Sequence, residues 1–220
     1  MKEKILESII YAMNHYLEES LGRVSLDKHE QMKKMFFMHM EQITNYCINK
    51  YINKGELSEE FIKGLHKIIY PPDYRQYITN NKGKQVLYMQ PGIYKTINNS
   101  IFNYVLNKEV DFIKPELVNI KMKQLLINFN ENIKLEEDKY DVILNFLLDF
   151  GKIHPFGDGN GRIITILIDL FLIQFNLEPL NITQLKEKDM KGFYYSIQKS
   201  RIERDLFYLK EFIRNVSRNN

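Results

Sequence analysis

Between Ile163 and Phe175 the chain runs IITILIDLFLIQF, and this stretch constrains the fold more than any other. A helix of this composition is apolar on nearly every side, so it has to be surrounded by other elements rather than laid on a surface. The run is shorter than a bilayer-spanning segment and carries Asp169 and Gln174, so protein rather than lipid is expected around it. Tyr140 to Phe150 is similarly apolar and is expected beside it at the centre.

The rest of the chain offers helices to wrap these two. Ile5, Ile9, Ile10, Met13 and Leu17 recur at helical spacing on a first helix that Gly22 ends. Met32, Met35, Phe36, Met38, Met40 and Ile43 lie on a second, running to about Ile52. Ser58, followed by Glu59 and Glu60, reads as the N-cap of a short third helix that stops before Pro71-Pro72. Pro115 opens another, through Leu117, Ile120, Met122, Leu125, Leu126 and Phe129. Lys188 to Ser200 and Arg204 to Val216 close the chain. One region departs from this pattern. Val86 to Asn103 reads VLYMQPGIYKTINNSIFN, with β-formers around Pro91-Gly92 and a second turn signal at Asn98-Asn99. Tyr70 to Lys84 is rich in Pro, Asn and Gly and reads as an irregular loop. The expected fold is all-α, a helical bundle carrying a small β-hairpin near residues 86–103.

Composition narrows the function classes. Lys and Arg number 31 against 28 Asp and Glu, a formal net charge of +3, with no basic block. Neither nucleic acid nor an anionic membrane is expected as a partner. Cys47 is the single cysteine, which excludes an internal disulfide and a Cys-rich metal site and fits a reducing compartment. The opening MKEKILESII lacks the apolar core and cleavage site of a signal peptide. A cytoplasmic protein is expected, with a secreted effector left open. His15, His29 and His39 do not have zinc-ligand spacing, and the Met-rich patch from Met32 to Met40 reads as a packing face.

Chemistry concentrates in Gly151 to Leu170, GKIHPFGDGNGRIITILIDL. An apolar helix ends near Lys152, broken by Pro155. Gly157, Gly159 and Gly161 then surround Asp158 and Asn160, and Arg162 starts the long apolar helix. A glycine-rich turn feeding a helix leaves backbone N–H groups unpaired at the positive end of the macrodipole, which is an anion site. Arg162 in the first turn adds a forked donor suited to phosphate, and its charge is unfavourable there until an anion arrives. Asp158 among phosphate donors suits a divalent cation bridging phosphates. His154, on the opposite lip, suits a base for an incoming hydroxyl. Each residue alone has an ordinary role: Asp158 and Asn160 as turn formers or a cap, His154 as a packed or surface residue. Those roles do not call for the His, Phe156 and Arg162 together.

His154-Pro155-Phe156-Gly157-Asp158-Gly159-Asn160-Gly161-Arg162 resembles the signature of the Fic family, H-x-F-x-(D/E)-G-N-G-R-x-x-R, at every position through the first Arg. Leu65-His66 resembles the Leu-His of the family's preceding helix. Pro91-Gly92-Ile93-Tyr94-Lys95 resembles its flap, and Tyr194-Tyr195 with the final helix resembles its tail. The resemblance implies a Fic domain over residues 57–220, with residues 1–56 a helical segment packed on it. It implies transfer of AMP from ATP to a Ser, Thr or Tyr hydroxyl of a target protein, with release of pyrophosphate. His154 is then the general base and Asp158 the Mg²⁺ ligand. Gly157 belongs to the nucleotide-binding loop, and Gly159, Asn160 and Gly161 form the anion hole. Arg162 holds the β-phosphate region, Phe156 anchors the loop, and residues 91–99 form a flap that aligns the target by strand addition.

The signature's last Arg is missing, and Thr165 stands there. Thr supplies neither charge nor fork, so ATP's γ-phosphate loses a contact and a different donor becomes open: transfer of UMP, a phosphoryl group or phosphocholine. The family's inhibitory pattern, (S/T)-x-x-x-E-(G/N), is not met. Thr183 and Glu187 have the spacing but Lys188 follows, while Ser200 and Glu203 are one residue too close and Arg204 follows. A separate antitoxin-like inhibitor, a homodimer and self-modification all stay open. So does a catalytically silent fold acting as a binding or regulatory module, though an intact His154 argues against it.

Overall fold

The computed structural model describes residues 1–21, 29–71, 73–80 and 82–218. Gly22, the expected end of the first helix, and Pro72 lie outside the described residues, as do the side chains of Leu17, His15 and Met32. Among the described residues the fold is helical: α1 (Lys2–Leu21), α2 (His29–Cys47), α3 (Glu59–Ile68), α4 (Pro115–Leu135), α5 (Lys139–Ile153), α6 (Asn160–Gln174), α7 (Ile182–Lys188), α8 (Met190–Glu203) and α9 (Phe207–Arg218). The expected second helix reaches Ile52 by widening into a π-helical turn over Ile48–Ile52. Helix α7 is the element that periodicity missed, being too short for apolar spacing to register.

Helix α6 is the axis of the bundle. Every residue from Ile163 to Ile173 is buried, including Thr165 and Asp169. Helices α1 and α5 pack along it. Phe171 meets Tyr51, Phe129 and Phe146 in an aromatic cluster joining α2's end, α4, α5 and α6. Asp169 is tolerated in this core because it is fully hydrogen-bonded. Ser8 Oγ of α1 donates to it at 2.7 Å, and the backbone N–H groups of Leu180 and Asn181 donate at 2.8 and 3.3 Å. A polar residue inside the apolar run thus docks α1 and the chain beyond α6 at one point.

Helix boundaries follow their signals. Ser58 Oγ accepts from Phe61 N–H at 3.1 Å and caps α3. Asp138 caps α5 by accepting from Asp141 N–H, and Pro115 sits in the first turn of α4. α5 ends at His154, which takes the left-handed conformation (φ 49°) while its N–H still donates to Phe150 O at 2.9 Å. The following Pro155 disfavours the α-region for this residue.

The β structure is doubled and shifted relative to the expected hairpin. β1 (Gln76–Thr79) pairs antiparallel with β2 (Gln85–Met89), and β3 (Ser100–Asn103) pairs antiparallel with β4 (Lys108–Asp111). Residues 86–103 therefore contribute one strand to each of two hairpins, and the loop expected over 70–84 contains β1. Its turn is built by Asn80, whose side-chain oxygen accepts from Lys82 and Lys84 N–H. Residues 91–99, expected as a hairpin flap, form no strand. Other partners claim their backbone: Gly92 N–H donates to His66 Nδ1 at 2.8 Å, and Lys95 N–H donates to Pro155 O at 2.8 Å. The segment is thereby drawn onto the loop between α5 and α6.

Candidate active site

The α5–α6 loop holds its shape through one internal clamp. Asn160, 3% exposed, accepts from Phe156 N–H at 2.9 Å and donates to Phe156 O at 2.8 Å. Both ends of its amide are thus engaged on the backbone, and what Asn160 can offer an anion is its own N–H in the first turn of α6. Phe156 is fully buried and stacks face to face on His66 of α3, 3.8 Å between ring centroids.

Gly157 and Gly159 are required by their surroundings. A Cβ on Gly157 would collide with the Tyr88 carbonyl of β2, so this residue seats the first hairpin against the loop. Gly159 has φ +80°, and a Cβ there would meet the Tyr70 hydroxyl at 2.6 Å and His66 Nε2 at 3.2 Å. As the N-cap of α6 it has no side chain with which to cap the N–H groups of Asn160, Gly161 and Arg162. Gly161 opens instead onto a cavity, where Lys186 Nζ would lie 3.7 Å from a Cβ.

The two lips of the loop differ. On the α3 side, Asp158 is about half exposed and ion-paired to Arg162 at 3.4 Å. Tyr70 donates to Asp158 Oδ2 at 3.0 Å and receives a hydrogen bond from Arg162, whose guanidinium lies over the Tyr70 ring. His66 ties the lip down: Nε2 donates to Asp158 O at 3.0 Å, and Nδ1 accepts from Gly92 N–H. Those two bonds require the neutral tautomer, and burial holds the His66 pKa down at about 4.

On the other side His154 stacks on Phe112, with centroids 3.9 Å apart and rings nearly parallel. It faces a cavity of about 100 Å³, also lined by Asn160, Gly161, Ile164, Lys186, Tyr194, Gln198 and Arg201. Burial, and then the charges of Lys95 and Arg201, depress the His154 pKa to about 3, so the imidazole is neutral and able to accept a proton. Lys95 holds its end of the loop. Its Nζ donates to Asn99 Oδ1 at 2.7 Å and to Ile153 O at 3.3 Å, and burial lowers its pKa to about 8.

The loop therefore brings together His154, Asp158, Gly159, Asn160, Gly161 and Arg162, with Gly157 turned beneath β2. The sequence-based reading missed Tyr70, Phe112, Lys186 and Arg201, and named Lys95 only as part of the 91–99 flap.

Thr165 is 2% exposed, and its hydroxyl donates to Gly161 O at 2.9 Å. It points into its own helix and not toward either lip. Glu187 is exposed, and Glu203 pairs with Lys199 at 2.6 Å on the surface. For Mg²⁺ the donor set fits: the ion commonly takes one or two carboxylates plus substrate phosphates, and Asp158 presents one accessible carboxylate. Among the described residues no cluster of three His, Cys, Asp or Glu could hold a metal by itself, and no helix is long and apolar enough to cross a membrane.

A model of the Fic/DOC family matches residues 56–172, just over half of the chain, and takes in α3, both hairpins and the whole loop. The chain belongs to the Fic/DOC family. Its fold is shared with a Fic-domain-containing signaling protein from Bacteroides thetaiotaomicron VPI-5482, at 21% identity over 88% of this chain and 72% of that one (TM-score 0.54). A Fic family protein from Desulfovibrio desulfuricans G20 matches at 17% identity over 99% and 64% (TM-score 0.60). Fic-1 (residues 134–508) from C. elegans matches at 14% identity over 99% and 71% (TM-score 0.53). At these identities the likeness is one of fold. This Fic chain spans roughly two thirds to three quarters of those longer chains.

Proposed function

We propose that this Fic protein is a protein adenylyltransferase, moving AMP from ATP to a Ser, Thr or Tyr hydroxyl of a target protein. The observation that carries the reading is convergence: a neutral His154 and the first, uncapped residues of α6 line one cavity, and Asp158 and Arg162 stand on the adjoining lip. The His154 imidazole takes the hydroxyl proton while the oxygen attacks the α-phosphorus. The bond from that phosphorus to the bridging α–β oxygen breaks, and pyrophosphate leaves. The N–H groups of Asn160, Gly161 and Arg162 stabilise the charge on the transferring phosphoryl oxygens, while the Arg162 guanidinium holds the β-phosphate region. Asp158 would hold Mg²⁺, which when bound neutralises phosphate charge. Residues 57–220 form the catalytic domain and 1–56 a helical segment packed on it. The target segment adds along an edge of the β1–β2 hairpin, which Gly157 seats against the loop.

A second reading, transfer of UMP, a phosphoryl group or phosphocholine, is favoured by one observation: position 165 offers no cation, and its hydroxyl is engaged on Gly161 O. Both readings are tested by mass spectrometry of the purified protein after incubation with Mg²⁺ and each nucleoside triphosphate in turn, and with CDP-choline. The expected result is self-modification by the mass of AMP from ATP, absent in His154→Ala. An adduct from another donor alone would replace the first reading with the second.

A further inference from the structure

The cavity beneath His154 is electrostatically one-sided. Most of its wall is apolar, its only basic side chains besides His154 are Lys186 of α7 and Arg201 of α8, and no Asp or Glu lines it. Among the described residues neither cation has a carboxylate within ion-pair distance. Lys186 Nζ lies over the Phe193 and Tyr194 rings, at 5.3 and 5.7 Å, and faces Gly161. Arg201 is anchored through Nε to Leu148 O at 2.9 Å, and its Nη2 reaches toward Gly151. Asp149, outside the cavity, acts on Arg201 only through its charge.

Two half-buried cations with no carboxylate in contact destabilise a fold unless something offsets them. The α6 N-terminus beside them adds more positive potential, because Asn160 and Gly161 of its first turn line the same space and have no side-chain cap. A cavity of about 100 Å³ is well below the about 300–1,000 Å³ that holds a whole small-molecule ligand. It suits one anionic group of a larger donor.

We propose that this cavity is a phosphate subsite in which Lys186 and Arg201, with the first N–H groups of α6, hold a phosphate group of the donor. The inference rests on the phosphate-transfer reading above and adds two residues to it. Cationic charge that Thr165 does not supply on α6 is supplied from α7 and α8, across the cavity from Gly161. Lys186 serves as the point charge. Arg201, pinned at Nε, presents its outer nitrogens as a fork.

The test is calorimetric titration of the full chain with inorganic phosphate, pyrophosphate, ATP and adenosine, on the native protein and on Lys186→Met, Lys186→Arg and Lys191→Met. Lys191 is exposed on α8 and serves as the surface control. Loss of a charge-assisted contact should weaken phosphate-bearing ligands by about ten- to a hundredfold in Lys186→Met. Lys191→Met should stay near native, Lys186→Arg should lose less than Lys186→Met because it keeps the charge, and adenosine should be unaffected. Equal losses for pyrophosphate and ATP support a subsite that reads phosphate from either source, and loss for ATP alone supports one that reads the nucleotide. Arg201→Lys, which keeps the charge and removes the fork, should weaken the same ligands less and covers the case in which Lys186→Met does not fold. Native affinity for ATP and pyrophosphate in a folded Lys186→Met would overturn the subsite. If the native protein still labels itself and His154→Ala does not, the transferase reading survives that result. A native protein that binds none of the three phosphate ligands would overturn both.

Discussion

The two lips of the α5–α6 loop are built on opposite electrostatic plans. On the α3 side every charge has an answer: Arg162 faces Asp158, Tyr70 bridges them, and His66 fixes the Asp158 carbonyl and the Gly92 N–H together. On the α7–α8 side Lys186 and Arg201 face His154 across a cavity with no carboxylate in its wall. The first arrangement pairs its charges internally before a ligand arrives, so Asp158 and Arg162 are held in place for one. The second is completed by an anion. The difference also bears on His154, whose proton affinity is depressed by burial and then by Lys95 and Arg201. An arriving phosphate would offset those charges and raise the affinity of the base when the hydroxyl proton needs a destination.

If the comparison is right, the largest effect belongs to His154→Ala. It should lower transfer by about 10²- to 10⁴-fold while leaving the thermal midpoint near native, since the ring stacks on Phe112 at the rim of a cavity. An equal loss of midpoint and activity would make His154 a packing residue and remove the distinction between the lips. Asn160→Ala comes next and acts through the fold. It leaves the Phe156 N–H buried without its partner and the Phe156 carbonyl with only the 3.4 Å bond from Asn99 Nδ2, which should cost about 2–3 kcal/mol in chemical denaturation. A cost below about 1 kcal/mol would mean that the loop is held from outside, by His66 and Lys95. Tyr70→Phe is smaller. Loss of the hydroxyl that bridges Asp158 and Arg162 should cost about 1 kcal/mol and should weaken Mg²⁺-dependent ATP binding more than Mg²⁺-free binding. Equal weakening would place Tyr70 outside the metal's influence.

How much of this was legible beforehand depended on how local each feature is. The central place of α6 could be read from Ile163 to Phe175, because a helix apolar all round has few places to be. Ser58 and Pro115 marked α3 and α4 because capping is decided within one turn. The loop's residues could be named because they are contiguous. The division of labour among them could not, since it depends on contacts distant in sequence: Asn160 is clamped by Phe156, Gly157 is pressed by Tyr88, and Gly159 by Tyr70 and His66. The hairpin register failed for the same reason. Pro91-Gly92 reads as a hairpin turn until His66, some 26 residues earlier, takes the Gly92 N–H. Lys186 and Arg201 had no local signature at all, and only the packing of α7 and α8 against the loop makes them neighbours of His154.

The smallest effect tests the completed lip through pH. The folded-state pKa of His66 is lowered from 6.5 to about 4 by burial, and its Nδ1 must stay unprotonated to accept from Gly92 N–H. Below 6.5 the unfolded chain takes up a proton that folded His66 refuses, so the unfolded state binds more protons and stability falls with falling pH. This contribution is complete above about 6.5, declines through the interval below, and is gone by about 4. His154, lowered to about 3, adds a slope of the same sign, so His66 has to be isolated by difference. His66→Gln can still accept from Gly92 and donate toward Asp158 without titrating. Thermal midpoints measured from pH 7 to 5 should fall less steeply in His66→Gln than in the native protein, with the curves converging toward the acid end. Parallel curves would show that His66 is free to protonate in the folded state, and the α3 lip would then be no more settled than the cavity opposite it.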